Sequence, residues 1–175
     1  MEEEKVTFNL LVSTAADFEE DCFNEMWYHL FSLGDENPLY VRLFIPGLIG
    51  VQTKLEPRKV IKYFQDEFDR KGANYFKFIF KIIPIQLVVI SEEDTLIKES
   101  INIKKQNEKN IKADDTFRIK VVRRFTEIKT DFLIQPIAKA FTNKVDLKNP
   151  TWELRIEICR KISGISFIRP DEIFE

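Results

Sequence analysis

The sequence predicts an α+β fold in two units, an N-terminal β-α-β-β-α-β unit over residues 1–90 and a mixed α/β unit over residues 91–175. Periodicity, composition and charge support this prediction. Apolar residues recur at every second position in some segments and at every third or fourth in others, as in strands and amphipathic helices. They make up 44% of the chain, which is enough for a packed core, and most of the 16 phenylalanines fall in these patterns.

The N-terminal unit begins with a strand, because apolar residues alternate through residues 6–12. Ser13 and Thr14 follow as candidate N-caps of a helix, which Gly34 ends. This helix is amphipathic, and its predicted core stripe comprises Phe18, Cys22, Met26, Leu30 and Leu33.

Two strands, a helix and a further strand complete the first unit. Strands are predicted over Leu39–Ile45 and residues 48–53, and a helix begins at Pro57 and ends at Gly72. Phenylalanine alternates with other residues through residues 75–83, which predicts the last strand. The order is that of a ferredoxin-like domain, an antiparallel sheet with two helices on one face.

The second unit mixes helices and strands, and no glycine- or serine-rich linker precedes it. The predicted elements are helices over residues 94–112 and 133–141, and strands over residues 117–121, 152–158 and 164–168. Pro136 belongs near the first turn of its helix, so that helix either starts late or bends there. Glu153, Arg155 and Glu157 alternate with apolar residues, which predicts that they share the other face of their strand.

Few residues of this chain suit catalysis or metal binding. Cys22 and Cys159 lie far apart in apolar patterns, which predicts buried, reduced thiols. His29 is the only histidine and falls in the middle of a predicted helix, so we expect neither a zinc site nor a Ser-His-Asp triad. The five glycines form no phosphate-binding loop, so we expect no cofactor and no catalysis by this chain.

The N-terminus and the hydropathy predict a soluble, cytoplasmic protein that does not enter a membrane. The chain begins Met-Glu-Glu-Glu, which is unlike a signal peptide. The longest apolar run, residues 82–90, is interrupted by Pro84 and Gln86 and is too short to span a bilayer.

Charge distinguishes the two halves of the chain. Residues 1–53 carry two basic and ten acidic side chains, a net charge of −8, whereas residues 116–169 carry 12 basic and five acidic side chains, a net charge of +7. This asymmetry indicates two units with different partners, and a polyanion is the natural partner of the basic block. Charge alone leaves open the alternative of ordinary solvated surface charge.

The candidate binding residues begin on a strand of the basic block. This strand carries Arg118 and Lys120 on one face and ends at Arg123 and Arg124. Cations at strand ends suit phosphate contacts, because a guanidinium matches two phosphate oxygens at once. The two arginines at the strand end lie outside the apolar alternation, so we expect the fold to survive their removal.

A loop with the sequence KVDLKNP extends the candidate site. It adds Lys144 and Lys148 around a turn that Asn149 and Pro150 fix. Asp146 and Asn149 are expected to shape the loop through hydrogen bonds from side chain to backbone.

Arg118 and Lys120 have a second interpretation. Both could form cross-strand ion pairs with Glu153 and Glu157, because opposite charges on neighbouring strands attract. In that case the two cations would be structural, and the sequence leaves this alternative open.

Residues 117–124 read FRIKVVRR, residues 144–150 read KVDLKNP, and Glu157-Ile158 closes the next strand. This set resembles the THUMP domain of tRNA-modifying enzymes. The first unit resembles the ferredoxin-like domain that precedes THUMP in many of these proteins, through NLLVST at 9–14 and FKIIPI at 80–85. GLIGVQTKLEP at 47–57 fits the same resemblance, which covers residues 6–169.

The resemblance implies a function in tRNA modification. In the family, the paired domains bind the acceptor end of tRNA and place a distant nucleotide in a fused catalytic domain. No catalytic domain follows residue 168 in this sequence, so the resemblance implies a stand-alone adaptor that presents tRNA to a separate cytidine acetyltransferase. The RNA-binding residues would be Arg118, Lys120, Arg123, Arg124, Lys144, Lys148 and Asn149.

Other functions stay open at this point. The chain could be the RNA-binding subunit of a different tRNA-modification complex. It could also be a protein-interaction scaffold whose acidic half docks a partner, or a small-molecule regulatory module, since ferredoxin-like units often bind metabolites.

Overall fold

The computed structural model describes residues 5–175, which form two compact units. The first unit contains the described residues up to Ile85 together with Asp171–Glu175, and the second contains Gln86–Pro170. The C-terminal segment thus belongs to the first unit, because Phe174 exchanges backbone hydrogen bonds with Ile82 at 2.8 and 3.0 Å. The sequence instead places the boundary between residues 90 and 91.

The first unit is a four-stranded antiparallel sheet with two helices. Its elements are β1 (Leu10–Ser13), α1 (Glu19–Ser32), β2 (Leu39–Ile45), β3 (Leu48–Gln52), α2 (Pro57–Lys71) and β4 (Lys81–Pro84). The strand order is β2-β3-β1-β4, and every neighbouring pair is antiparallel. This is the predicted ferredoxin-like arrangement.

One hydrophobic core joins this sheet to both helices. Cys22, Met26 and Leu30 of α1 are fully buried in it, as the predicted stripe requires. Phe18 precedes the helix and is 45% exposed, so the stripe is one turn shorter than predicted. The other buried members include Leu10, Val12, Ile49, Val51, Val60, Ile61, Phe64 and Ile82.

Helix α1 begins later than the sequence predicts. Asp17 has a left-handed φ of 71°, which interrupts the chain after the predicted caps Ser13 and Thr14. The carboxylate of Glu19 accepts a hydrogen bond from Gly47 N at 2.6 Å and so holds the first turn against the β2–β3 connection. Gly47 is required there, because it has a φ of 73° and a Cβ would lie 2.6 Å from the Thr14 carbonyl oxygen.

The segment before β4 is not the strand that the sequence predicts. The backbone N–H groups of Lys77, Phe78 and Ile79 donate hydrogen bonds to the carboxylate of Glu25, at 2.9, 2.8 and 3.1 Å. These amides are therefore satisfied by a side chain of α1 and not by a neighbouring strand. The alternation of phenylalanines was misleading here, since Phe80 is exposed.

The second unit is a mixed five-stranded sheet with two helices. Its elements are β5 (Leu87–Ile90), α3 (Glu93–Gln106), β6 (Thr116–Arg124), α4 (Thr130–Ala138), β7 (Lys144–Val145), β8 (Trp152–Cys159) and β9 (Ile162–Ile168). The order is β5-β9-β8-β6-β7, in which β6 is parallel to both β7 and β8. Strand β5 pairs with β9, so residues 87–90 are part of this sheet.

The helices of the second unit cover one face of its sheet. Leu96 and Ile103 of α3 and Leu133 and Ile137 of α4 are buried in a single core. Strand residues of that core are Phe117, Trp152, Leu154, Ile156, Ile158, Ile165 and Phe167. Within residues 5–175, no helix is both long and apolar enough to cross a membrane.

Candidate nucleic-acid interface

Two of the predicted arginines are held by buried glutamates. Arg118 Nε lies 2.5 Å from Glu153 Oε2, and Arg124 Nη1 lies 2.6 Å from Glu157 Oε2. Both glutamate side chains are 0% exposed, whereas about a quarter of each arginine side chain is exposed, at 24% and 25%. The parallel pairing of β6 with β8 puts Arg118 beside Glu153, which places their side chains on the same face.

Arg155 joins these two ion pairs into one chain of charges. Its Nη1 lies 2.8 Å from Glu153 Oε1, and its Nε lies 2.5 Å from Glu157 Oε1. The five side chains alternate in sign across β6 and β8, and we refer to them as the charge ladder: Arg118, Glu153, Arg155, Glu157 and Arg124. Burial acts to raise the pKa of Glu153, but hydrogen bonds from Arg155 and Arg118 outweigh it and hold that pKa below its usual value.

The charge ladder tests the second interpretation, in which the predicted cations form cross-strand ion pairs. Cross-strand pairing is confirmed for Arg118, but Glu157 pairs with Arg124 and not with Lys120. Arg124 is therefore tied to the fold, contrary to the expectation that it lies outside the packed structure. Its removal would leave a buried carboxylate with one cation fewer.

Four of the predicted cations are exposed and form no ion pair within residues 5–175. Lys120, Arg123, Lys144 and Lys148 all lie at the surface, and no carboxylate of the described chain forms an ion pair with them. Arg123 Nη2 makes only a long hydrogen bond, 3.5 Å, to the Thr126 carbonyl oxygen. These four side chains can therefore meet an anion without first breaking an ion pair.

The exposed cations are spread along β6, and Lys120 lies at the middle of this strand. Lys144 of β7 pairs with Thr116 at the start of β6, and Lys148 lies in the loop that follows β7. Arg123 lies near the other end of β6. Seven residues separate the two positions along β6, which corresponds to roughly 23 Å at the usual strand rise. Phosphate groups of one extended or duplex nucleic acid can be spaced over such a distance, whereas a small anion meets only one group.

Hydrogen bonds from a side chain and to the backbone support the KVDLKNP loop. Asp146 Oδ1 accepts hydrogen bonds from the backbone N–H groups of Lys148 and Asn149, both at 2.9 Å, as predicted for Asp146. These bonds, that from Asn149 first, lower the pKa of Asp146. Arg118 Nη1 donates to the Leu147 carbonyl oxygen at 3.0 Å, so the charge ladder also supports the loop.

The only histidine and the two cysteines are structural. His29 is buried, its Nδ1 lies 2.9 Å from the Tyr63 hydroxyl oxygen, and burial lowers its pKa. Cys22 and Cys159 are buried free thiols, as predicted, and burial raises their pKa values to about 12 and about 11. No group of His, Cys, Asp and Glu side chains suited to a metal ion occurs among residues 5–175.

Several aromatic side chains are exposed, although the sequence predicts that most phenylalanines are core residues. Trp27 and Phe31 lie one turn apart on α1, stack at 4.9 Å between ring centroids, and are 39% and 49% exposed. The neighbouring Tyr28 is 65% exposed. Their spacing of four residues repeats that of the buried stripe on the same helix, so the sequence does contain a signal for this second stripe. Phe125 and Phe132 of the second unit are also exposed.

Comparison with known proteins identifies the second unit. Residues 93–167 match the sequence model of the THUMP domain. A search of curated protein sequences gave no match.

Solved structures share the fold at low sequence identity. PH1313 from Pyrococcus horikoshii Ot3 aligns with a TM-score of 0.66 and 17% identity over 93% of this chain and 55% of that one. TrmN from Thermus thermophilus aligns with a TM-score of 0.57 and 10% identity over 93% of this chain and 46% of TrmN. A 4-thiouridine synthetase solved with RNA and ATP aligns with a TM-score of 0.56 and 16% identity over 93% of this chain and 42% of the synthetase. This chain thus spans about half the length of these proteins. The sequence match places a THUMP domain at residues 93–167, and the likeness to these solved structures shows a shared fold.

Proposed function

We propose that this chain binds tRNA through the exposed cations of its THUMP domain and presents it to a separate modifying enzyme. The observation that carries the proposal is the set of exposed cations Lys120, Arg123, Lys144 and Lys148, all of which lie inside residues 93–167. The 4-thiouridine synthetase, a solved protein of similar fold, was captured with RNA, which supports a polyanionic ligand for this chain.

The charge ladder holds in place the strand and the loop that carry these cations. It fixes β6 to β8 and, through Arg118, fixes the KVDLKNP loop. The exposed cations on β6 and in this loop are consequently displayed on a rigid support. Preorganised side chains lose less conformational entropy when they meet a ligand, so they bind it more tightly than mobile ones.

Within tRNA modification, we assign this chain to cytidine acetylation, as an adaptor that binds near the acceptor end. The resemblance of FRIKVVRR and KVDLKNP to the THUMP domain of tRNA-modifying enzymes supports a role in tRNA modification, and cytidine acetylation is our choice among the modifications. The second candidate is an RNA-binding subunit for another modification, and it is favoured by the likeness to a 4-thiouridine synthetase.

The first unit offers a surface for the enzyme partner. The α1 aromatic stripe, which we define as Trp27, Tyr28 and Phe31, lies exposed within the acidic half of the chain. Exposed aromatic side chains are enriched in protein interfaces, and RNA is repelled by acidic surroundings. We therefore assign the stripe to a protein partner with a basic rim, namely the modifying enzyme.

Binding of tRNA at increasing salt concentration tests the first part of the proposal. Replacing Lys120, Arg123, Lys144 and Lys148 by alanine should flatten the salt dependence, by about 0.9 in log–log slope for each lost phosphate contact. Replacing Lys54, Lys59 and Lys62, exposed lysines of the first unit, serves as the control and should change little. Equal losses in both variants would show that the interface is not on the THUMP domain.

Two measurements test the adaptor role. Mass spectrometry of tRNA incubated with the purified chain and acetyl-CoA should find no acetylated cytidine, whereas a clear product would show that the chain is itself the enzyme. Co-purification should recover a cytidine acetyltransferase, and Trp27→Ser with Phe31→Ser should release it without weakening tRNA binding. A scaffold without an RNA role would instead keep the enzyme and show no salt-dependent affinity for tRNA.

A further inference from the structure

An exposed phenyl ring and a guanidinium meet at the carboxyl ends of β6 and β8. Phe125 directly follows β6 and is 64% exposed. The guanidinium carbon of Arg160, which directly follows β8, lies 4.5 Å from the centroid of that ring. Because β6 and β8 are parallel and adjacent, their carboxyl ends share one edge of the sheet, and Arg160 N donates to the Arg124 carbonyl oxygen at 3.0 Å.

Both residues adopt a backbone conformation that side chains normally avoid. The φ angles are 54° for Phe125 and 59° for Arg160, in the left-handed region that favours glycine. Because the ring of Phe125 stays in solvent, its burial does not offset the cost of this backbone conformation. Unfavourable backbone conformations cluster at binding sites, where the surrounding structure enforces them. The conformation thus places a ring and a cation at the surface at a cost in stability.

The surroundings of this pair are cationic. Arg123 is exposed two residues before Phe125, and Lys161 is exposed directly after Arg160. Glu127 is the exposed acidic side chain nearest in sequence. A flat apolar ring beside several cations matches one base and the phosphates on either side of it, because stacking recognises the base and the cations recognise the backbone.

The geometry points to Phe125 and Arg160 as a stacking site for one unpaired base of an RNA strand. The base lies on the phenyl ring, and Arg123 and Lys161 neutralise the flanking phosphates. This site rests on the proposed RNA-binding function and makes it more specific, since a base inside a duplex cannot reach a flat side chain in this way. The chain should then prefer RNA with a single-stranded tail over a fully paired RNA.

Binding of two RNA hairpins to the full chain tests this site. One hairpin ends in a short single-stranded tail that contains the fluorescent base 2-aminopurine, and the other is blunt. Phe125→Leu should weaken binding of the tailed hairpin roughly tenfold, leave the blunt hairpin unchanged, and abolish the quenching of 2-aminopurine on binding. Phe125→Trp should retain both affinity and quenching, because it preserves the aromatic surface.

Control variants separate stacking from a structural role. Phe132 is also exposed and also has a cation over its ring, Lys129 at 5.7 Å, but it lies within α4. Phe132→Leu should therefore leave both hairpins unaffected. Phe125→Gly suits the positive φ, so it should keep the thermal midpoint of unfolding while losing the tail preference.

The outcomes distinguish this inference from the proposed function. If Phe125→Leu binds both hairpins as the parent does, the stacking site is overturned and tRNA binding by the cations stands. The site is also overturned if Phe125→Gly keeps the preference for the tail. If the parent binds neither hairpin, the proposed RNA-binding function itself fails.

Discussion

Adjacent arginines at the end of β6 have different roles although the sequence presents them as a pair. Arg124 contacts a buried glutamate, and Arg123 faces solvent. We expect Arg124→Ala to lower the free energy of unfolding by about 2 kcal/mol, less than the ~3–5 kcal/mol typical of a broken buried pair because Glu157 keeps Arg155. Urea denaturation measures this loss.

Arg123→Ala should behave in the opposite way. The free energy of unfolding should stay within about 0.5 kcal/mol of the parent, since the side chain packs against little. The variant should bind tRNA more weakly, because it loses a charge-assisted contact that contributes roughly 1.5–3 kcal/mol to the binding free energy. A filter-binding assay beside the denaturation curve checks both values, and a destabilised Arg123→Ala with unchanged tRNA affinity would reverse the assignment.

Glu25 is a single side chain that holds a whole segment. Its carboxylate accepts three backbone hydrogen bonds from residues 77–79, which have no strand partner. Glu25→Ala should therefore destabilise the protein by about 2–3 kcal/mol, because three backbone donors, two of them partly buried, lose a charged acceptor. Glu36→Ala, at an exposed position of the same unit, is the matched control and should have little effect on the urea midpoint.

Paired strands β6 and β8 make stability depend on pH. The pKa of Glu153 is lowered in the folded protein, so its carboxylate contributes stability that is present above the unfolded value of about 4.3. That contribution is lost as the pH falls through the lower folded pKa, so the urea midpoint should fall steeply below about pH 4.3.

Glu153→Gln isolates this contribution from other carboxylates. Asp35 and Asp115 also have lowered pKa values, so the parent loses stability in acid for more than one reason. The variant should be less stable than the parent at neutral pH, but its midpoint should change less between pH 7 and acid. Identical pH profiles of the urea midpoint would show that protonation of Glu153 does not contribute to the pH dependence of stability.

Elements were predictable where local chemistry determines them. The predicted bounds of β2 are those observed, and α2 begins at Pro57 and is capped by Gly72 with a φ of 91°, as predicted. Each of these signals acts within a few residues. The THUMP resemblance of residues 117–124 and 144–150 is likewise confirmed by the domain match.

Other elements depend on partners far away in sequence, which a local pattern does not contain. The segment at 75–80 alternates like a strand. Its amides at residues 77–79 nevertheless donate hydrogen bonds to the carboxylate of Glu25, some fifty positions earlier. Glu153 and Glu157 contact arginines that lie 35 and 33 positions away in sequence, so strand alternation alone did not separate the tethered arginines from the exposed ones. Lys120 and Arg123 remain predicted contacts, and the RNA measurements above decide them.

The two units of the molecule differ in charge as well as in fold. Gln86–Pro170 carries 17 basic and 12 acidic side chains, a net charge of +5, so the rest of the chain, at ten basic and 17 acidic, carries −7. If the chain binds RNA as proposed, we expect the non-specific attraction to come from the second unit, because it depends on net charge and on exposed cations. Selection of folded tRNA requires recognition of shape, to which both units can contribute.

A fragment comparison tests this division between the units. The fragment should span residues 86–170, because β5 belongs to the sheet of the second unit and residues 171–175 belong to the first. It should bind RNA with a steep salt dependence, yet show less preference than the full chain for intact tRNA over an unstructured RNA of equal length. Competition binding of both RNAs to the fragment and to the full chain measures that preference, with circular dichroism to check that the fragment is folded. An equal preference in both would mean that the acidic unit takes no part in choosing RNA, and that its exposed aromatic stripe serves protein docking alone.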